Sequence, residues 1–271
     1  MIKEISEGII GDVYFAHSWY STARKPIGFG KEVPPPENLD WDLWQGPAPR
    51  VPYRDNIHPY NWHWFWHWGT GEALNNGTHM IDVARWAMGV EYPETVASQG
   101  GRFHYIGEDD WECPDTQTIS YEFTNRKIIT WEARSCNPFQ LYGSAVGIIF
   151  YGTNGAIIYM TDSYKVYDKD NQLVNEVTSE LTRKSDPRNT IDPGLGSDHT
   201  VNFIESIRGK QKLNAPIDEG HKSTLLCQMA NISLRIGQSL HINQKTGRPI
   251  GNKEADKLWT REYESGWEPK V

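Results

Sequence analysis

Residues 115–168 read DTQTISYEFTNRKIITWEARSCNPFQLYGSAVGIIFYGTNGAIIYMTDSYKVYD, and this stretch decides the fold. Ile119, Tyr121 and Phe123 alternate with Ser120 and Glu122, the period-two pattern of a strand buried on one face. Strands are expected at 115–123, 127–135, 144–151, 155–160 and 163–168. Thr153, Asn154 and Gly155 separate two of them, and Asn-Gly signals a hairpin whose turn needs positive φ. Working outward, 93–106 adds a strand upstream, and 9–20 (IIGDVYFAHSWY) supplies the first of the chain.

Helices flank this run. Residues 78–88 (THMIDVARWAM) read as a short helix closed by Gly89 at the C′ position. Beyond the strands, 179–197 is polar and turn-rich and reads as a surface loop. A helix near 198–208 follows a Ser197-Asp198 cap. Another near 219–238 carries Leu225, Leu226, Met229, Ile232 and Ile236 at helical spacing. The segment at about 31–60 is different, because Pro34, Pro35, Pro36, Pro47, Pro49 and Pro52 stiffen it against helix and central strand alike. Its aromatics (Trp41, Trp44, Tyr53) imply that it packs on something. Strands in succession, with helices before and after, describe one α+β domain over 1–271 with a largely antiparallel sheet.

Composition removes several function classes. The net charge is −8, from 27 Lys+Arg against 35 Asp+Glu, and no basic cluster offers a surface for nucleic-acid phosphates. No apolar run is long enough to span a membrane. The start, MIKEISEGIIGDVYF, lacks the apolar core of a signal peptide. Cys113, Cys136 and Cys227 form neither a disulfide framework nor a metal-binding pair, so a reducing, cytoplasmic setting fits. A domain cut from an exported precursor stays open. Nor is there a dinucleotide fingerprint. Gly69-Thr70-Gly71 is the best start, but the third glycine would fall on Leu74 and no strand precedes it.

Chemistry concentrates in 60–86, YNWHWFWHWGTGEALNNGTHMIDVARW. One reading is a metal site, with His63 and His67 four residues apart and Glu72 or His79 as third ligand. No HExxH-type pattern supports it, so no metal is expected. A second reading buries the aromatics as core, with the histidines hydrogen-bonded among them. The third is an acid–base site: His79 in the first turn of the 78–88 helix, its imidazolium disfavoured by the helix dipole, able to take a hydroxyl proton. Asn75 stands four residues before it. Asp82, three residues after it, is placed to fix its tautomer or cap a neighbour.

The run Gly69-Thr70-Gly71 through Asn76-Gly77-Thr78-His79-Met80-Ile81-Asp82, then Arg85-Trp86, resembles a segment of the glucose–fructose oxidoreductase / inositol dehydrogenase (Gfo/Idh/MocA) family. EGIIGDVYFAHSWY is similar to that family's entry into its C-terminal domain, LDWDLWQGPAPRVPY to the Pro/Trp loop of one branch, and DHTVNFIESIRGKQKLNAPIDEGHKSTLLC to its closing helices. The resemblance implies an open, mostly antiparallel sheet flanked by helices, which follows a Rossmann domain in complete members and pairs through its open face in a homo-oligomer. It implies NAD or NADP as cofactor of the complete enzyme and a sugar or polyol as substrate. The catalytic pair it implies is His79 and Asn75, with Asn75 where many members carry Asp. The family's lysine has no counterpart, since Lys25-Pro26 lies after the first strand. His63, Trp64, His67, Asn76 and Asp82 complete the substrate-binding expectation.

The leading expectation is therefore a substrate-binding and dimerisation domain of an NAD(P)-dependent oxidoreductase. It is truncated before its Rossmann domain, inactive alone and unable to bind the nucleotide by itself. Two other classes stay open: a non-enzymatic dimeric partner or sugar-binding module, and a nucleotide-free lyase or hydrolase acting on oxidised sugars.

Overall fold

Alternation in the sequence becomes a nine-stranded sheet in the computed structural model, which describes residues 1–161, 163–178 and 193–270, with backbone alone at 193–198. Its strands are β1 (Val13–Ser21), β2 (Thr95–Gly101), β3 (Thr116–Phe123), β4 (Lys127–Arg134), β5 (Val146–Gly152), β6 (Gly155–Met160), β7 (Ser163–Asp168), β8 (Leu173–Thr178) and β9 (Leu240–His241). The order across the sheet is β8-β7-β6-β5-β1-β4-β3-β2-β9. All described pairings are antiparallel except β1 with β4, where Ala16 lies opposite Ile129 and Tyr20 opposite Ala133. The expected α+β class and mostly antiparallel open sheet are both observed.

The core lies on one face. Ala16, Ile119, Tyr121, Phe123, Ile129, Trp131, Ile148 and Phe150 point there and are buried. Two helices cover them: α3 (Thr78–Met88) over β1, β4 and β5, and α5 (Ile217–Ile236) over β2. Leu225, Leu226, Met229 and Ile232 of α5 are buried, the stripe expected from their spacing. The other face carries a smaller cluster around Trp19, Ile149 and Ile158. The remaining helices are short α1 (Ile2–Ser6), α2 (Trp41–Trp44) and α6 (Lys253–Lys257), and α4 (Pro193–Ile207).

Four expectations need correction. The first is the start of the central helix: Gly71 and Glu72 are already helical, Ala73–Gly77 is a π-helical turn, and α3 continues from it. Second, α4 begins at Pro193, not after a Ser197-Asp198 cap; proline presets the backbone angle of a first helical position. The loop expected at 179–197 is thus helical from 193, and residues 179–192 lie outside the described residues. Third, the hairpin between β5 and β6 turns on Thr153 and Asn154, neither at positive φ. Gly155 is instead the first residue of β6, where a Cβ would strike the Tyr167 carbonyl oxygen of β7. Fourth, the proline-rich segment contains one helical turn, α2, capped by the Asp40 side chain accepting from the Leu43 amide at 2.9 Å. Its aromatics do pack, with Trp41, Tyr53, Ile57 and Phe65 forming a cluster of their own.

Candidate active site

The parallel pair places the site. Antiparallel neighbours exit at opposite ends, but β1 and β4 both exit at the same end, delivering Arg24 and Ser135 side by side. There the Arg24 amide donates to the Ser135 carbonyl at 2.8 Å. The helix that starts at Gly71 brings Glu72 onto both. The Glu72 side chain is 1% exposed. Arg24 Nε donates to Glu72 Oε2 at 3.1 Å, and Ser135 Oγ donates to the same oxygen at 3.3 Å. Its other oxygen, Oε1, accepts from Asn75 Nδ2 at 3.0 Å and from Asn76 Nδ2. A buried carboxylate with one charged and three neutral donors is well satisfied.

Arg24 ties further groups to this hub. It donates to the Tyr60 hydroxyl at 3.0 Å and to the Tyr20 hydroxyl at 3.4 Å, and its guanidinium lies 4.7 Å from the Trp64 ring centroid. Burial penalises its charge, but Glu72 outweighs that and raises the Arg24 pKa. Burial, with the Glu72 charge behind it, also raises the Tyr20 phenol above its usual range.

The expected residues divide among three places. Asn75 and His63 line one cavity of about 240 Å³, with Trp62, Thr70, Gly71 and Leu74. His63 stacks on Trp62 at 3.9 Å, and its Nδ1 lies 2.5 Å from the Tyr60 carbonyl oxygen. Asn76 joins Asn75 on Glu72. Trp64 is 1% exposed, packed between Arg24 and Trp111, so it touches the site through Arg24 and presents no open wall.

His79 and Asp82 line a second cavity of about 850 Å³, between α3 and the segment leading into α5. The early helix start removes the dipole argument, since His79 is no longer in a first turn. Its imidazole is exposed. Asp82 does not orient it: Asp82 Oδ1 accepts from Ser223 Oγ of α5 at 2.5 Å and lies 4.0 Å from Arg85. His67 sits in a third cavity, of about 700 Å³, with Nε2 2.8 Å from the Pro49 carbonyl oxygen. Thr70 lines both this cavity and the one at Asn75. With the histidines dispersed, no group of three or more His, Cys, Asp or Glu among the described residues is placed to hold a metal ion.

Sequence reasoning missed Arg24, Tyr20, Tyr60 and Ser135, and weighed Glu72 only as a metal ligand. Arg24 and Glu72 stand 48 positions apart in sequence. Their one signal was a carboxylate in an aromatic, apolar stretch, which demands a cationic partner from elsewhere.

No Rossmann-type dinucleotide turn is present among the described residues. Pyrophosphate binding needs a glycine-rich turn from a parallel strand into a helix N-terminus. Here the exit of the parallel strand β1 runs through Arg24 and Pro26, and irregular chain precedes the helix at Gly71.

The family model described as oxidoreductase family, C-terminal alpha/beta domain, matches residues 17–269. No curated protein matches the chain. Among solved structures, levoglucosan dehydrogenase in complex with NADH and levoglucosan is similar at TM-score 0.60 and 16% identity, over 89% of this chain and 62% of that one. The WlbA dehydrogenase from Bordetella pertussis, in complex with NADH and UDP-GlcNAcA, gives 0.55 and 16%, over 89% and 58%. An oxidoreductase domain protein from Kribbella flavida gives 0.59 and 14%, over 89% and 61%. At these identities the likeness is one of fold. The chain spans about three-fifths of each of these structures.

Proposed function

This chain belongs to the oxidoreductase family whose C-terminal alpha/beta domain it matches over residues 17–269, and from that premise we propose that it recognises the substrate of an NAD(P)-dependent oxidation of a sugar or polyol hydroxyl. The observation that carries the reading is the pair of asparagine amides locked on a buried carboxylate beside an aromatic-walled cavity. Because both Nδ2 groups donate to Glu72, each Oδ1 is turned away from it, and that of Asn75, which lines the cavity, can accept from a sugar hydroxyl. Trp62 and His63 offer a flat face to the ring. His79 lies four residues beyond Asn75, where the π turn passes into α3, and lines a different cavity along the same helix. Its exposed imidazole would take the proton of a hydroxyl brought to it. The cofactor supplies the hydride acceptor when bound, and the chain's own residues bind, orient and deprotonate.

Calorimetry on this chain tests the reading. Sugars or polyols are expected to bind, with Asn75→Ala weakening them, while NAD and NADP give no measurable heat. Micromolar affinity for either nucleotide would sink the assignment of this chain to the substrate side alone.

A dimeric assembly belongs to the same proposal. The sheet face opposite α3 and α5 carries Phe15 stacked on Tyr151 at 5.3 Å, next to half-buried His17 and exposed Ile128. Such a face favours pairing with a second copy.

A further inference from the structure

The cavity that holds His67 has a chemistry the site at Asn75 does not use. The chain as a whole is acidic, with 35 carboxylates against 27 cations. On this cavity's lining the balance inverts: Arg235, Lys257 and Arg261 face Glu262 alone. Lys257 is paired with Glu254 at 2.8 Å. Among the described residues, neither Arg235 nor Arg261 has a carboxylate within ion-pair distance. Arg235, at the end of the α5 stripe that carries Leu225 and Ile232, lies 5.0 Å from the Trp66 ring centroid. A guanidinium held against an aromatic ring keeps its edge N–H groups for bidentate contact with an anion. Arg261 donates Nε–H to the Glu262 carbonyl oxygen at 3.4 Å and one terminal N–H to the His67 carbonyl oxygen at 3.3 Å, which fixes it at the same rim with its other terminal N–H groups left over. Trp68 and Trp259 add aromatic walls.

Thr70 makes this more than a separate patch. It lines both this cavity of about 700 Å³ and the one of about 240 Å³ at Asn75, so the two meet at one residue. The smaller volume falls below the usual size of a small-molecule pocket, and the larger lies within it. We propose that the Arg235–Arg261 cavity is the anion-binding arm of the substrate groove. It takes the carboxylate or phosphate of an acidic glycoside longer than one ring, whose reacting ring lies at Asn75. This rests on the functional reading above and adds to it the class of substrate.

Three probes titrated into the full chain test it: digalacturonate for a carboxylate, UDP-glucose for a phosphate, and cellobiose as the neutral control. At least one acidic probe is expected to bind tenfold or more tightly than cellobiose. The double variant R235Q/R261Q should erase that preference and leave cellobiose unchanged, whereas Asn75→Ala should weaken every probe that binds. Equal affinity for acidic and neutral probes overturns the proposal, as does a preference that survives in R235Q/R261Q, or no binding at all. If Asn75→Ala leaves all affinities intact while R235Q/R261Q removes the preference, the cavity binds anions apart from the site at Asn75. That result overturns the single groove and leaves the reading of the Asn75 site to its own test.

Discussion

Replacing Glu72 with glutamine isolates the charge at the centre of the site without changing its shape. The Gln carbonyl can still accept from Asn75 and Asn76. Its NH2 then takes the place of Oε2: the Ser135 hydroxyl can turn to accept from it, but the Arg24 Nε–H cannot, so there donor meets donor. Removing one member of a fully buried ion pair costs about 3–5 kcal/mol. The Arg24 side chain keeps 19% exposure, so water recovers part of that. A loss of about 2–3 kcal/mol follows, at and just below the lower end of that range. With a urea m-value of about 3 kcal/mol/M, the unfolding midpoint drops by roughly 0.7–1 M. Fluorescence suits the assay, since the chain has twelve tryptophans. Arg24→Met should cost a similar amount. The double variant should cost about 2 kcal/mol less than the sum, because neither charge is then left alone. A midpoint shift below about 0.2 M, or strict additivity in the cycle, would refute the ion pair as the element that holds the site together.

Three further outcomes follow from the structure. In an enzyme assembled with a nucleotide-binding unit, His79→Ala should lower kcat by about 10²-fold or more, the range for general-base loss, with the unfolding midpoint unchanged; retained kcat removes it from the proton step. Burial raises all three thiols, pushing Cys227 up to about 12 and Cys136 up to about 11, with Cys113 higher still. With a disulfide reagent at pH 8, half-buried Cys136 should react first and the other two only as fast as the protein opens; three fast thiols would contradict the burial. Burial also lowers the His17 pKa, against a smaller opposing pull from Glu132. The unfolded chain therefore takes up that proton first, so His17 contributes stability above about pH 6.5 that is lost as pH falls through its folded value. His17→Gln should flatten the fall in urea midpoint between pH 7.5 and 5, and an equal fall in both proteins would count against this.

What the sequence made legible was whatever a period could encode. β3 and β4 announced themselves because one residue in two meets a core, and α5 because its apolar stripe does the same at helical spacing. β8 was not among the expected strands, since all six of its residues are exposed and alternation has nothing to bury. The early start of the central helix was hidden by composition. Asn75-Asn76-Gly77 are poor helix formers and read as a turn. Tertiary contacts decide otherwise: Glu72 holds both asparagines, and Gly77 lets the π turn lie against the Trp131 ring. The resemblance paired Asn75 with His79, yet it carried no information on Arg24, which reaches Glu72 only through the pairing of β1 with β4.

That pairing also accounts for a buried charge where an apolar core would cost less. A desolvated ion pair is a weak source of stability, but it is a demanding one, satisfied only when several segments arrive together. Four segments converge on Glu72: the exits of β1 and β4, the π turn, and Tyr60 acting through Arg24. Apolar contacts at these exits, being non-directional, would tolerate a small shift. The carboxylate would not, because a slip leaves Arg24 unpaired and frees both asparagine amides to flip. A π turn serves the same end, since such bulges recur at functional sites, and here it aims two consecutive amides at a single oxygen. The hub thus sets the direction of the groups proposed to meet the substrate, and its stability is the measurable trace of that orientation.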